Sequence, residues 1–224
     1  MKVEHITALL PMKGHSERVP NKNLRDFCGR PLYHHVMNSL LASKHIKEVV
    51  INTDSDAITG DAKKHFERIR IIDRPENIRG DFVEMNTIIG YDISQCGGEH
   101  FLQTHSTNPL LTTATIDKAI ERYFEGLGEH DSLFSVTRWQ TRFYDREGKP
   151  VNHNPKELLR TQDLPPLYEE NSNIYIFSKD SFRKAGNKRI GLKPQMFQMD
   201  RLEAIDIDEE SDFVLAEAIY KNRR

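Results

Sequence analysis

Short apolar runs alternate with helix-period segments through the first 130 residues, which predicts an α/β fold. The β-branched runs at Val49–Ile51 and Ile69–Ile72 are typical of strands buried on both faces, as in a mostly parallel sheet. The apolar residues of Thr115–Leu127 follow the spacing of one helical face. Together these observations predict a Rossmann-like, three-layer arrangement in which helices cover both faces of the sheet.

The first half of the chain supplies four strands and four helices to this arrangement. The predicted strands are Ile6–Leu10, Glu48–Thr53, Arg68–Asp73 and His100–Thr104. The predicted helices are Pro31–Ser43, Asp56–Phe66, Glu84–Gln95 and Thr115–Leu127. Because ligands of such sheets bind at the carboxyl ends of the strands, the loops that follow the strands are the first places to look for a site.

The pattern changes after residue 130. Further strands are predicted at Ser132–Trp139, Asn173–Phe177 and Ala204–Asp208, and a closing helix at Ser211–Tyr220. Residues 139–170 are polar and proline-rich and include a hairpin-like stretch at 142–151. We therefore predict a single domain over 1–224 with an inserted arm at about 139–170. Such an arm either folds over a substrate or packs on a second subunit.

The composition describes an ordinary globular protein. The chain has 224 residues, 37% of them hydrophobic, and a formal net charge of −2, which gives no support to binding of nucleic acid or an anionic membrane. Cys28 and Cys96 are too few for a disulfide framework or a zinc site. No leader peptide and no apolar run of membrane-spanning length is recognisable, so we expect a cytoplasmic protein.

The loop after the first predicted strand is dense in glycine, proline, hydroxyl and cationic residues. Lys13, Arg18 and Lys22 could contact phosphate, Gly14 would let a phosphate approach the main chain, and Ser16 adds a hydroxyl. Neither the Walker A pattern nor G-x-G-x-x-G is present. The loop therefore predicts a polyphosphate site of an unusual type, and an ordinary solvated loop is the alternative.

A second group of interest is the acidic segment Ile205–Glu210. In an extended chain Asp206 and Asp208 would point to the same side, where two carboxylates can bind a hard cation such as Mg²⁺. A solvated strand end, with Glu209 and Glu210 favouring the start of the next helix, explains the segment equally well.

Other candidates follow individual strands. Arg74 could stack on or hydrogen-bond a nucleobase. Gln103, Asn171 and Tyr175 could offer hydrogen bonds to a polyol. Asp54 is predicted to cap the following helix rather than to contact a ligand.

In this order, the segments resemble motifs of the cytidylyltransferases that activate acidic sugars, the acylneuraminate (CMP-sialic acid synthetase) family and its CMP-Kdo relatives. The run from Lys13 to Asn23 resembles A-R-G-G-S-K-x-[IL]-P-x-K-N, and Glu170–Ile176 resembles E-N-G-x-x-Y-I. The other matching segments are Asn52–Asp56, Arg74–Glu76 with Gly80 and Asp81, Leu102–Leu110, and Ile205–Asp208 with Asp212, Phe213, Ala216 and Glu217. The matches span almost the whole chain.

The resemblance implies a nucleotidyltransferase (GT-A-like) fold and transfer of CMP from CTP to the anomeric hydroxyl of an acidic sugar, with release of pyrophosphate. It implies CTP contacts for Lys13, Gly14, Ser16, Arg18, Lys22, Asn23 and Arg74, of which Lys13, Arg18 and Lys22 would be catalytic. It also implies Mg²⁺ (or Mn²⁺) at Asp206 and Asp208 and a sugar site at Gln103, Asn171 and Tyr175. The arm resembles the family's dimerisation element and so implies a homodimer.

Three features depart from the family pattern. Glu17 stands where bacterial relatives often carry lysine, and Lys13 stands at the arginine position, which keeps the charge and loses the bidentate fork. The segment 104–109 is longer than in the sialic acid pattern and lacks the aspartate that the Kdo branch carries there as a metal ligand. The nucleotide chemistry is therefore better specified than the sugar. A nucleotidyltransferase for another acidic sugar or a phosphonate, a glycosyltransferase with Asp206–Asp208 as its D-x-D motif, and a non-catalytic nucleotide-binding regulator are the alternatives.

Overall fold

The structure is a computed structural model that describes residues 3–223, so residues 1, 2 and 224 of the predicted domain lie outside the described range. The strands are β1 Ile6–Met12, β2 Asp26–Phe27, β3 Arg30–Pro31, β4 Ile46–Thr53, β5 Ile69–Asp73, β6 His100–Gln103, β7 Ser132–Trp139, β8 Leu167–Ser178 and β9 Pro194–Gln198. The α-helices are α1 Leu32–Leu41, α2 Asp56–His65, α3 Met85–Gln95, α4 Thr113–Gly126, α5 Lys179–Lys184 and α6 Glu210–Asn222.

A mostly parallel sheet organises the described residues, as the sequence predicts. Seven strands pair in the order β5-β4-β1-β6-β8-β7-β9, and β2 and β3 form a separate small hairpin. β1 pairs in parallel with β4 and β6, whereas β8 runs antiparallel to both β6 and β7. Central β1 therefore ends at an edge of the sheet that it shares with β4 and β6, and the loop after it lies between theirs.

Two hydrophobic clusters cover the two faces of the sheet. Every residue of β1 is buried, and its side chains alternate between the clusters. Ala8 and Leu10 pack with apolar residues of α1, α2 and α4 on one face, and Leu9 packs with α3 and α5 on the other. This arrangement gives the three predicted layers and holds the end of β1 rigid.

The five helices that the sequence predicts begin and end within two residues of their predicted bounds, and the short helix α5 was not predicted. The buried residues of α4 are the ones its helical spacing selects, namely Ile116, Ala119, Ile120, Tyr123 and Phe124. α2 is capped by the Ser55 hydroxyl, which accepts from the Ile58 N–H. The predicted capping role of Asp54 is therefore wrong.

The predicted strand at Ala204–Asp208 is also wrong. The segment has no ladder partner and runs as a turn followed by irregular backbone. Ile207 is nonetheless fully buried, and its N–H donates to the Thr107 carbonyl at 2.9 Å. The last strand of the sheet is instead β9, which pairs with β7 at the edge, where its leading proline loses no ladder hydrogen bond.

The arm between β7 and β8 contains one short 3-10 helix, Thr161–Asp163, and a single bridge between Tyr144 and Pro150 in place of a regular hairpin. Its base is fastened by the Asn152 amide, which donates to the carbonyls of Thr141 and Pro165. Across residues 3–223, every helix is too short or too polar to cross a membrane.

Candidate active site

A cavity of about 410 Å³ opens beyond the carboxyl end of β1. It is lined by six of the seven predicted CTP-binding residues, which are Lys13, Ser16, Arg18, Lys22, Asn23 and Arg74. Asp208 and His105 line it from other loops, and Met85 and Ile88 of α3 give it an apolar wall. The structure thus brings together residues that the sequence separates by almost 200 positions.

Gly14 is the predicted residue that does not line the cavity. Its N–H donates to Asp54 Oδ1 at 2.8 Å, and a Cβ built on it would lie 2.8 Å from Cβ of Ser55. The glycine is therefore required because the loop packs against the residues after β4, and its N–H is already occupied. Asp54 therefore anchors the loop after β1 to the end of β4.

Two of the loop cations form ion pairs with carboxylates from distant segments. Lys13 Nζ lies 2.5 Å from Asp81 Oδ1, and Arg18 Nη2 lies 2.7 Å from Asp208 Oδ1. All four side chains are about half exposed. Because solvent screens such pairs, these cations can exchange their carboxylate partners for an anionic ligand at small cost.

Lys22 is the least exposed of the three cations. Its side chain is only 12% exposed, and Nζ donates to the Ile207 carbonyl at 2.5 Å and lies 3.8 Å from Asp208 Oδ1. Burial lowers the pKa of Lys22, and the charges of Asp206 and Asp208 partly oppose that shift. A partly buried ammonium beside two carboxylates is a strong local electrostatic centre.

Asn23 connects two loops of the cavity wall. Its Nδ2 donates to the Lys13 carbonyl at 3.0 Å, and its Oδ1 accepts from the Ser106 hydroxyl at 2.7 Å. The amide therefore fixes the loop after β1 against the loop after β6, and any contact with a nucleotide would be made from this fixed position.

Arg74 combines a place in the cavity wall with a structural role. Its side chain is buried, Nε donates to Asn52 Oδ1 at 2.7 Å, and Nη2 donates to the carbonyls of Met12 and Asn52. Burial lowers its pKa, and Asp54 and Asp92 oppose the shift. Arg74 thus joins the ends of β1 and β4 and is held in place in the cavity wall.

The acidic segment reaches the same place, although it is not a strand. Asp206 and Asp208 both lie close enough to Lys22 and His105 to act on their pKa values, and burial lowers the pKa of His105 against that action. Asp206 Oδ1 is buried without a hydrogen-bond partner among the described residues. An unsatisfied buried carboxylate oxygen beside a second carboxylate fits the oxygen-ligand preference of Mg²⁺.

The three predicted sugar-binding residues lie in the sheet and do not line the cavity. Gln103 and Tyr175 are fully buried, and Asn171 bonds to the hydroxyls of Ser135 and Thr137. Gln103 Oε1 instead accepts from Arg189, a residue the sequence analysis missed. A polar residue at a strand end can satisfy the fold as well as a ligand, and the sequence does not separate the two cases.

Sequence reasoning also missed several residues of the cavity wall, among them His15, Asp81 and His105. His105 lies two residues beyond the end of β6, at the sheet edge where ligands were expected, so its position was a usable signal. Asp81 lies in a segment that carried the family resemblance, yet its pairing with Lys13 had no signal in the sequence.

Comparisons with known proteins agree with this geometry. The family model described as Cytidylyltransferase matches residues 7–223. The chain is 25% identical over 226 residues to the pseudaminic acid cytidylyltransferase of Campylobacter jejuni, and the match covers 95% of each protein. It is 27% identical over 228 residues to N-acylneuraminate cytidylyltransferase A of Danio rerio, covering 96% of this chain and 51% of that protein.

A solved structure of CMP:2-keto-3-deoxy-manno-octonic acid synthetase in complex with CTP has a similar fold. The TM-score is 0.72 at 9% identity, and the match covers 99% of this chain and 100% of that one. At this identity the likeness concerns the fold alone, which is an α/β nucleotidyltransferase fold.

Proposed function

Since the chain belongs to the cytidylyltransferase family, we propose that it transfers CMP from CTP to the anomeric hydroxyl of an acidic 2-keto-3-deoxy sugar of the sialic acid type. Its relatives include proteins named for pseudaminic acid and for N-acylneuraminate, and both names denote acidic sugars of this class. CTP is the nucleotide substrate that the family implies.

The observation that carries the proposal is the meeting of Lys13, Arg18 and Lys22 with Asp208 around one cavity. A triphosphate bears several negative charges, and three cations around one cavity are the complement it needs. A carboxylate beside these cations would repel a triphosphate on its own, so the presence of Asp208 there favours a site that also takes a cation.

In the proposed reaction the anomeric oxygen forms a bond to the α-phosphorus, and the bond to the bridging oxygen of the leaving pyrophosphate breaks. The hydroxyl proton passes to solvent. Lys13, Arg18 and Lys22 bind the triphosphate and stabilise the charge that grows on the leaving group. Asn23 and Arg74 hold the cytidine end, each already fixed by its bonds to neighbouring loops.

Asp206 and Asp208 are the residues that would hold Mg²⁺ (or Mn²⁺). Their fit rests on the unsatisfied Asp206 oxygen and on the exposed Asp208 carboxylate at the cavity wall. When bound, a divalent ion at this place would neutralise phosphate charge and lower the pKa of the attacking hydroxyl.

We also propose that two copies of the chain associate through the arm. Five large apolar side chains of the arm and the adjoining start of β8 are at least 44% exposed, namely Tyr144, Val151, Leu158, Leu159 and Tyr168. Apolar side chains concentrated in one exposed segment are typical of an interface, and a second arm offers the same surface. The cytoplasmic location stays a prediction.

Incubation of the purified protein with CTP, Mg²⁺ and a panel of acidic sugars tests the proposed reaction. We expect pyrophosphate release that depends on both the sugar and CTP, and a CMP-sugar product by mass spectrometry. If the protein turns over phosphonates and no acidic sugar, the acceptor is a phosphonate and the proposed sugar acceptor is wrong. No release with any acidic acceptor, together with turnover of a ready-made nucleotide sugar, would overturn the proposal.

A further inference from the structure

Resting on the proposed function, we propose that Arg189 binds the carboxylate of the acceptor sugar, and that Gln103 and Tyr175 are the positioning residues that hold it. The sequence analysis assigned Gln103 and Tyr175 to the sugar directly. Because both side chains are fully buried, we assign the contact with the sugar to Arg189, the cation that they hold in place.

Three contacts fix Arg189. Its guanidinium carbon lies 3.9 Å from the centre of the Tyr175 ring, and Nη1 donates to Gln103 Oε1 at 2.6 Å. The backbone N–H of Arg189 donates to Asn86 Oδ1 at 3.3 Å. Stacking and one strong hydrogen bond hold the plane of the guanidinium, which leaves Nε and Nη2 without an acceptor among residues 3–223.

The charge of Arg189 lacks a counterion. No carboxylate within the described part of the chain lies within ion-pair distance of its guanidinium, although Arg18, Arg25 and Arg160 each have one. Burial lowers the pKa of Arg189, with Tyr175 and Glu170 only partly opposing the shift. A half-buried cation without a counterion destabilises the fold, and an anionic ligand would offset that destabilisation.

The position of Arg189 adjoins the cavity. Gln103 is the last residue of β6, and His105, two residues further on, lines the cavity. Asn86 lies in the first turn of α3, between Met85 and Ile88 of the apolar wall. Arg189 is also close enough to His105 for its charge to lower the pKa of that imidazole. Arg189 is not itself a lining residue of the cavity, but its guanidinium lies close to the wall at His105, where Nε and Nη2 are left to meet a ligand.

A carboxylate suits this place chemically. The planar guanidinium can give a carboxylate two parallel hydrogen bonds, which fix orientation as well as position. In a 2-keto-3-deoxy acid the carboxylate is attached to the anomeric carbon itself. Holding the carboxylate would fix the position of the attacking hydroxyl, which is bonded to the same carbon.

The test measures steady-state kinetics and CTP binding for Arg189→Met and Arg189→Lys beside the wild type. Arg183→Met is the matched control, because Arg183 is an exposed arginine on α5 that pairs with Asp180. The acceptors are the best acidic sugar of the panel and its C1 carboxamide. Thermal melting and CTP titration show which variants keep their fold.

We expect the KM of the acidic sugar to rise about 10- to 100-fold in Arg189→Met, less in Arg189→Lys, and not at all in Arg183→Met. CTP affinity should stay within about twofold of wild type. The carboxamide should be about 10- to 100-fold poorer for wild type, and the variant should discriminate far less between the two acceptors. This loss of discrimination is the readout that a merely structural role would not give.

Failure of this inference is distinguishable from failure of the proposed function. A wild type that turns over no acidic sugar removes the function itself, whatever the variants do. A wild type that accepts acid and carboxamide equally well removes the Arg189 contact, even if every variant fails to fold. Equal loss on both acceptors in Arg189→Met, with the fold intact, also overturns it.

Discussion

Arg18 and Asp208 form an ion pair in the wall of the cavity, with Nη2 and Oδ1 2.7 Å apart. The pair joins a proposed triphosphate contact to a proposed metal ligand, so the two groups neutralise each other before substrate binds. Lys13 and Asp81 form a second pair of the same kind. Exposed pairs of this sort contribute only about 0.2–1 kcal/mol, so CTP and a divalent ion can separate them at little cost.

Asp208→Asn is expected to abolish turnover while the protein stays folded. The amide keeps the size of the side chain and loses the negative charge, so we expect kcat to fall at least about 100-fold. Circular dichroism melting should change little, because Asp208 is exposed. Asp180→Asn, which removes one partner of an arginine pair on α5, is the control and should keep full activity. Unchanged kcat in Asp208→Asn would remove the metal assignment.

Lys22 gives a prediction about alkaline pH. Burial lowers its pKa from the ordinary 10.5, so its positive charge is lost at a lower pH than that of a solvated lysine. If the charge is needed, activity falls as pH rises through the lowered pKa. Lys22→Arg should extend activity to higher pH, because an arginine keeps its proton there. Lys22→Met should lose about 100-fold or more at every pH.

The measurement is kcat from pH 7 to pH 10 for the wild type and both variants. Lys63→Met, on an exposed position of α2, is the control for a lost lysine and should follow the wild-type profile. An alkaline limb that is identical in the wild type and Lys22→Arg would assign the limb to another group.

The elements with a continuous apolar pattern could be predicted from the sequence. The prediction failed where the structure of a segment or the role of a residue depends on its partners in the fold. β1 is apolar at almost every position and is buried at every one. Ile205–Asp208 alternates like a strand, yet no strand lies beside it, and the Ile207 N–H bonds to a loop carbonyl instead. Cations of the opening loop were recognisable because their residue types suit phosphate. Arg189 was not, because its role depends on Gln103 and Tyr175, which only the fold brings to it.

Glu17 lines the cavity among the loop cations and is the residue there that least suits a triphosphate. We expect Glu17→Gln to lower the KM for CTP, since one repulsive charge disappears. The side chain is exposed, so solvent screening limits the effect to about two- to fivefold. The gain should shrink in 0.5 M salt, which separates an electrostatic cause from a change in loop structure. A higher KM would mean that Glu17 contributes a favourable contact.

The arm predicts an oligomeric state. Sedimentation should show a particle of twice the 26.0 kDa chain mass. Leu158 is 93% exposed in the single chain, and burying such a side chain contributes roughly 1.5–3 kcal/mol, so Leu158→Asp should shift the protein towards monomer. Val214→Asp, at an exposed position of α6, is the control and should stay dimeric. A wild type that sediments as a monomer at every concentration would contradict the dimer.

Asp92 makes stability depend on pH in an unusual direction. The side chain is fully buried, one oxygen accepts from Asn52, and burial raises its pKa to about 7. In the unfolded chain the carboxyl ionises near its ordinary 3.8. Between these values the unfolded state loses its proton first, so the Asp92 contribution to stability falls as pH rises through that window. The loss is at most about 4 kcal/mol, at about 1.4 kcal/mol for each pH unit.

Asp92→Asn removes that titration and keeps a side chain that can accept from Asn52. We therefore expect the variant and the wild type to have similar urea midpoints near pH 4.5, and the variant to gain over the wild type at pH 6 and again at pH 8. Asp180→Asn should change stability in the opposite direction, because Lys184 and Arg183 lower the pKa of Asp180. Loss of the Asp180 carboxylate should weaken the fold slightly at neutral pH. A gap between Asp92→Asn and wild type that stays constant with pH would show that Asp92 is ionised in the folded protein, with Arg74 supplying the compensating charge through Asn52.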